Sequence, residues 1–172
     1  IPTLIQEQNV IAGITNKILS RFVDIVAVGY NEAAKSFGKA KRVVYTGNPV
    51  RPDVLVDSRA EGRQFFGLCD DIFTVLIAGG SRGARTINTA MIDVHKHFQG
   101  KPGIKLIHIT GNGEYNTVLE QLGIDDGTGL GESSLILPYL HDMPKALAAT
   151  DLAVFRSGAI GLAELAVRGI PS

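Results

Sequence analysis

Short apolar runs, separated by turns and by segments of helical pattern, constrain this chain more than any other feature of its sequence. They fall at residues 3–6, 24–28, 43–46, 73–77, 105–110, 135–137 and 152–155. The runs are apolar on both faces, the pattern of strands covered by helices on both sides of a parallel sheet. Helical patterns cover 14–22, 31–37, 57–66, 85–97, 114–122, 143–149 and 160–168, with Asn31 placed to cap the second of them. The predicted fold class is therefore α/β with parallel sheets. In such folds ligands gather beyond the carboxyl ends of the strands. The loops after Ile5, Thr46, Ile77, Thr110, Leu137 and Phe155 are thus where function is expected.

One stretch interrupts the alternation. Gly47-Asn48-Pro49-Val50-Arg51-Pro52 carries two prolines in four residues, which continue neither a strand nor a helix, so it reads as a linker. A chain of 172 residues has room for one domain or parts of two. It starts inside what reads as a strand, without an initiator Met, and stops where an α/β chain would enter its next strand. A piece of a longer enzyme is expected. Seventeen basic residues balance seventeen acidic ones, so no overall field favours nucleic acid. The lone Cys69 excludes an internal disulfide framework, and no apolar run approaches the ~20 residues of a membrane span. Residues 125–132, glycine-rich and acidic, read as a surface loop.

Two of the loops carry chemistry. Ala78-Gly79-Gly80-Ser81-Arg82-Gly83 lies between an apolar run and a helix, an arrangement that presents backbone N–H groups to an anion. Tight packing explains such glycines equally well. The stretch nearly fits the dinucleotide fingerprint, but the next strand ends in His108-Ile109-Thr110-Gly111 without the acid that would hold a ribose, which argues against nicotinamide chemistry. No Lys-Ser or Lys-Thr closes the turn as in a Walker A loop. Arg156-Ser157-Gly158-Ala159-Ile160-Gly161 repeats the strand–turn–helix arrangement, with the amides of Ala159, Ile160 and Gly161 at the helix N-terminus. Glu164, about one turn further on, can accept from two vicinal hydroxyls, as on a ribose, at ~1.5–3 kcal/mol for a charge-assisted bond. As a first-turn acid it would otherwise serve only the helix dipole.

Other chemistries fit poorly. Ser157 lacks a nucleophile elbow. His95 and His97 stand two apart on a helix and make a poor metal pair; with His108 and His141 they read as structural or exposed. Of the acids in ligand-facing loops, Glu7, Asp142 and Glu164, none has a fixed partner for hydrolytic work.

Taken together, Glu7-Gln8-Asn9, Gly47-Asn48-Pro49-Val50-Arg51, Gly79-Gly80-Ser81-Arg82-Gly83-Ala84-Arg85, Asp142-Met143-Pro144 and Ser157-Gly158-Ala159 through Glu164 resemble, in order and spacing, the bacterial MurG family of N-acetylglucosaminyltransferases. The resemblance implies a GT-B fold, two Rossmann-like domains facing a cleft. Residues 1–51 would be the last part of the acceptor domain and linker, and 52–172 an incomplete nucleotide-sugar donor domain. It implies inverting transfer of GlcNAc from UDP-GlcNAc to the C4 hydroxyl of the muramyl sugar of undecaprenyl-linked muramyl-pentapeptide (lipid I), without a metal or cofactor, at the cytoplasmic face of the bacterial inner membrane. Ser81 would contact the phosphates with Arg51 nearby. The backbone of Leu140 would read the uracil edge with Met143 packed close, Glu164 would hold the ribose, and Asn9 would face the sugar.

The family's usual general base, a His in an earlier glycine-rich loop, would precede Ile1, and its Gln-rich sugar motif would follow Ser172. Gln6 stands where the family commonly has His, and Gly161 where it commonly has Thr. The expectation is weak nucleotide binding and no catalysis by this stretch alone. The alternatives are another GT-B enzyme of UDP-sugars, such as a glycolipid glycosyltransferase or a UDP-GlcNAc 2-epimerase, and a noncatalytic nucleotide-binding module.

Overall fold

The computed structural model describes residues 1–80 and 82–172. The chain divides into two compact units, Ile1–Val50 and Arg51–Ser172. The first unit contains β1 (Leu4–Glu7), α1 (Ile14–Leu19), β2 (Ile25–Val28), α2 (Asn31–Ala34), a 3-10 turn at Lys35–Phe37 and β3 (Val43–Tyr45). Its sheet is parallel, in the order β1-β2-β3, with Leu4 opposite Ile25 and Val26 opposite Val43. β2 is covered on both sides, and its Val26 and Val28 build the core with Ala12, Ala33 and Phe37. Asn31 is the first helical residue of α2, and the capping position falls to Tyr30, which makes no side-chain cap. The flanking Tyr30 holds extended backbone angles, so the helix begins one residue earlier than a capping Asn31 requires.

The second unit begins with α3 (Pro52–Val56) and α4 (Arg59–Phe65). The expectation that Pro52 belongs to a linker without helix is corrected here. Proline lacks an N–H and has φ fixed near the helical value, both of which suit the first turn, and Pro52 occupies that turn of α3. Likewise the polar helix does not start at Asp57: Ser58 caps it and Arg59 is its first residue. The Ser58 hydroxyl accepts from the Glu61 amide while the Glu61 carboxylate accepts from the Ser58 amide, a reciprocal capping box.

Then follow β4 (Phe73–Ala78), α5 (Arg85–Phe98), β5 (Ile104–Ile109), α6 (Tyr115–Leu122), β6 (Ser134–Leu137), α7 (Met143–Ala149), β7 (Leu152–Phe155) and α8 (Ala159–Arg168). All four strands are parallel, in the order β6-β5-β4-β7. Val75 and Ile77 of β4 pack with Leu106 of β5 against Met91 of α5, and the strand period of two turns Leu76 and Ala78 to the opposite face, where α7 contacts β4 and α4 packs on α7. That helix pair is close because Gly62 has no side chain: a Cβ there would stand 2.6 Å from the Lys145 carbonyl. Residues 125–132 are only partly a surface loop. Leu130 is buried in the α5–α6 cluster, and the Gly127 carbonyl accepts from the Ile136 amide at 2.8 Å. No helix among the described residues is long and apolar enough to cross a membrane.

Candidate nucleotide site

β4 starts the second unit's sheet and grows it in two directions, to β5 and β6 on one side and to β7 on the other. The loops leaving β4 and β7 therefore diverge to opposite faces, and the crevice between them is the topological switch point where open parallel sheets bind ligands. A cleft of about 430 Å³ lies there, between Ala78-Gly79-Gly80 after β4 and Phe155-Arg156 with Gly158 after β7. Its volume falls within the range of small-ligand sites. Pro138, Tyr139, Leu140 and His141, after β6, and Met143 close it on a third side.

Of the residues expected from sequence, the cleft brings together Arg51, Leu140, Met143, Ile160, Gly161 and Glu164. Ala159 opens the same helix, α8. Gly158 stands at its N-cap position and has no side chain with which to cap the helix. Ser81 lies outside the described residues. Asn9 belongs to the first unit.

Glu164 is buried, and its carboxylate is held by Arg51 in a bidentate pair: Nε donates to Oε1 at 2.8 Å and Nη2 to Oε2 at 3.2 Å. This bond to the carboxylate raises the Arg51 pKa above its ordinary value, against the effect of partial burial. Arg51 is thus engaged with the acid, where the resemblance had placed it near phosphates. Arg156, passed over in the sequence as part of a turn, is exposed and lines the cleft, and its Nη2 lies 3.6 Å from where a Cβ of Gly80 would stand. It makes no ion pair with a described residue, which leaves its charge available to an anion. Nothing in the spacing marked it, because its relation to Gly80 exists only once β7 pairs with β4.

The first glycine-rich turn is shaped by close packing as well as by any ligand. Gly83 has φ 77° and Gly111 φ 85°, the left-handed region that only glycine occupies freely. A Cβ on Gly83 would lie 2.0 Å from the Thr110 carbonyl oxygen, and one on Gly111 2.6 Å from the Arg82 carbonyl carbon. The turn after β4 and the turn after β5 thus touch backbone to backbone.

Behind that contact runs a buried polar chain. Asn88 Nδ2 donates to the Thr110 carbonyl at 2.9 Å, so its Oδ1 is the acceptor facing His108 Nε2 at 3.1 Å. His108 must then be protonated on Nε2 and accept on Nδ1, from His95 Nε2 at 3.0 Å. His95 in turn accepts on Nδ1 from the Ser134 hydroxyl at 2.9 Å. One tautomer of each ring satisfies the whole chain. Burial holds His95 down at about 4; burial, together with the neighbouring His95, holds His108 at about 3. The structural reading of these two histidines thus gains a specific geometry.

In the first unit, Glu7 is fully committed to its own loop. Its Oε1 accepts from the Asn9 amide (2.9 Å) and side chain (3.2 Å), and its Oε2 from the Gly13 amide (2.9 Å) and Asn16 Nδ2 (3.0 Å). Burial works to raise its pKa, and these donors outweigh it, so the carboxyl titrates below its ordinary value. Glu7 shapes the loop that carries Asn9, which is itself exposed.

Comparison with known proteins identifies the family of the chain. The Glycosyltransferase family 28 C-terminal domain matches residues 74–172. The UDP-N-acetylglucosamine--N-acetylmuramyl-(pentapeptide) pyrophosphoryl-undecaprenol N-acetylglucosamine transferase of Acetivibrio thermocellus is 44% identical over 172 residues, 100% of this chain and 46% of that protein. The enzyme of the same name from Desulfitobacterium hafniense (strain Y51) is 48% identical over 171 residues, 99% of this chain and 46% of that protein. The chain therefore spans about half the length of the curated relatives it matches. The crystal structure of Acinetobacter baumannii MurG superposes with a TM-score of 0.63 at 26% identity, over 98% of this chain and 44% of that one. With the family's C-terminal domain covering more than half of its residues, and with two parallel α/β units of the GT-B type, the chain belongs to glycosyltransferase family 28.

Proposed function

We propose that this chain supplies the donor-binding part of an N-acetylglucosaminyltransferase that moves GlcNAc from UDP-GlcNAc to the C4 hydroxyl of the muramyl sugar of lipid I, yielding lipid II. The observation that carries the reading is the cleft at the β4–β7 switch point, with the Glu164 carboxylate on its wall and the amide end of α8 beside it. A uridine diphosphate has the matching parts: a flat base, a vicinal diol and a dianionic link. The base would stack near Tyr139 and Met143 and read the Leu140 backbone, Glu164 would take the ribose hydroxyls, and the amides of Ala159, Ile160 and Gly161 would face the diphosphate.

Transfer is inverting. The acceptor hydroxyl oxygen attacks the anomeric carbon and gives up its proton to a general base, the bond from that carbon to the diphosphate oxygen breaks, and UDP leaves with the electron pair. Charge grows on the diphosphate as the bond breaks, so cations and amides fixed at that place lower the barrier. Arg156, beside Gly80 and without an ion-pair partner among the described residues, would serve this end and join Ser81 in the role first given to Arg51. Asn9, on the loop organised by Glu7, is proposed to face the donor sugar. The lipid-linked acceptor puts the work at the cytoplasmic face of the membrane, with the protein bound peripherally.

Calorimetric titration of UDP, UDP-GlcNAc and NAD into the chain and its Glu164→Ala variant tests the donor site. UDP and UDP-GlcNAc are expected to bind in preference to NAD, with the variant weakened by about tenfold or more. Preferential NAD binding, or UDP binding indifferent to Glu164, would sink the reading. Transfer to the lipid-linked muramyl acceptor by the full-length enzyme separates it from relatives acting on other UDP-sugars.

A further inference from the structure

Arg51 is the first residue of the second unit, and Glu164 lies 113 positions later in α8. Their side chains differ sharply in exposure: 49% for the arginine and 6% for the glutamate. The carboxylate is therefore a buried charge, and its ion-pair partner among the described residues is Arg51. The planar guanidinium fork matches a carboxylate in two parallel bonds and so fixes its rotation as well as its charge. An ionised carboxylate has about four acceptor positions, and Arg51 occupies one on each oxygen. No other described residue donates to that carboxylate, and Glu164 lines the cleft.

We propose that Arg51 is a positioning residue that acts through Glu164: it locks the carboxylate so that both oxygens meet the vicinal diol of a nucleotide ribose, and thereby sets the site's discrimination for ribose over deoxyribose. The inference rests on the donor-site reading above. Its physical content is pre-organisation. A glutamate side chain free to rotate presents one oxygen at a time, and ordering it on binding costs affinity that a pre-ordered one keeps. Any contact of Arg51 with the diphosphate would instead act on every nucleotide alike.

UDP and 2′-deoxyuridine diphosphate share base and diphosphate and differ by one hydroxyl, so the ratio of their dissociation constants isolates the diol. Ligand-observed NMR on the 172-residue chain reads that ratio even where binding is weak. The wild-type chain is expected to favour UDP by about tenfold. Glu164→Gln and Arg51→Gln are each expected to bring the ratio to within about threefold of unity, and Arg51→Lys, which keeps the charge without the fork, to give an intermediate value. Unchanged circular dichroism and melting of the Arg51 variants establish that they are folded, and the half-exposed site of Arg51 favours this. If the Arg51 variants weaken both nucleotides equally, or leave the ratio as in wild type, while Glu164→Gln collapses it, the inference is overturned and the donor site stands. If Glu164→Gln also leaves the ratio unchanged, or the wild-type chain binds neither nucleotide, the donor-site reading fails and the inference with it.

Discussion

Lowering the pH from 7 to 5 should destabilise the second unit by about 3–4 kcal/mol, mostly through two side chains that touch no ligand. His95 and His108 are completely buried and neutral, with folded pKa values of about 4 and about 3. The unfolded chain returns both to ~6.5. A folded pKa below the unfolded one means that the unfolded state binds more protons across the interval between them. The stability these groups contribute is thus complete above pH ~6.5 and falls as the pH drops, until the folded values are reached. Each histidine loses stability steadily with falling pH once the unfolded ring is mostly protonated, which integrates to about 2 kcal/mol apiece between pH 7 and 5.

Urea unfolding followed by circular dichroism at the two pH values measures the loss, taken from the transition of the larger unit. The double variant His95→Gln/His108→Gln should be less stable at pH 7 and should lose most of the difference between the two pH values. Nitrogen-15 spectra of the imidazoles supply a second reading: both rings should carry their proton on Nε2 at pH 7 and keep that form at pH 5. A difference below 1 kcal/mol, or ring signals titrating near 6.5, would refute the reasoning, because the hydrogen-bonded chain leaves neither ring room for a second proton.

Three further perturbations follow. Arg63 is buried at 2% exposure and its Nη2 donates to the Cys69 and Ile72 carbonyls, so Arg63→Leu strands two acceptors and should cost about 2–4 kcal/mol in chemical denaturation; a loss under 1 kcal/mol counts against that role. Gly83→Ala combines a left-handed φ with a Cβ 2.0 Å from the Thr110 oxygen and should lower stability and weaken UDP binding together, about 2–3 kcal/mol in the first; an unchanged melting temperature contradicts the crowding. Glu7, whose folded pKa is depressed, stabilises the first unit above its unfolded value near 4.3 and loses that contribution as the pH falls through the folded value. Glu7→Gln should accordingly flatten the acid limb of that unit's stability curve, measured by hydrogen exchange of β2 amides, and an acid limb identical to wild type would exclude Glu7 as its source.

The strands were legible because each is a short run of apolar residues closed by a turn, and burial on both faces makes such runs stand out without alternation. The helices were legible for a similar reason, with ends misplaced where capping decides them. Pro52 looked like an interruption and starts a helix, since the same missing N–H that breaks a helix interior is harmless in its first turn. Within the candidate site, the two glycine turns and Glu164 could be found because a strand followed by a glycine turn and a helix is a local pattern. Relations across the fold could not. Arg51 and Glu164 meet over 113 positions, His95 and His108 meet because α5 packs on β5, and Arg156 nears Gly80 because β7 pairs with β4. Glu7 looked like an acid facing a ligand, yet four donors within nine residues of it account for both its oxygens.

The contact of Gly83 and Gly111 has a consequence for how such a site can change over generations. Each glycine is crowded by the main chain of the other turn, not by a side chain. A neighbour's substitution with something smaller therefore opens no space, and neither turn can gain a side chain while the other keeps its path. The two turns belong to successive strand–helix repeats, but they can only be inherited as a pair. Variation in the ligand such a cleft accepts would have to enter elsewhere, through the loops after β6 and β7, where it is lined by side chains that can be exchanged one at a time.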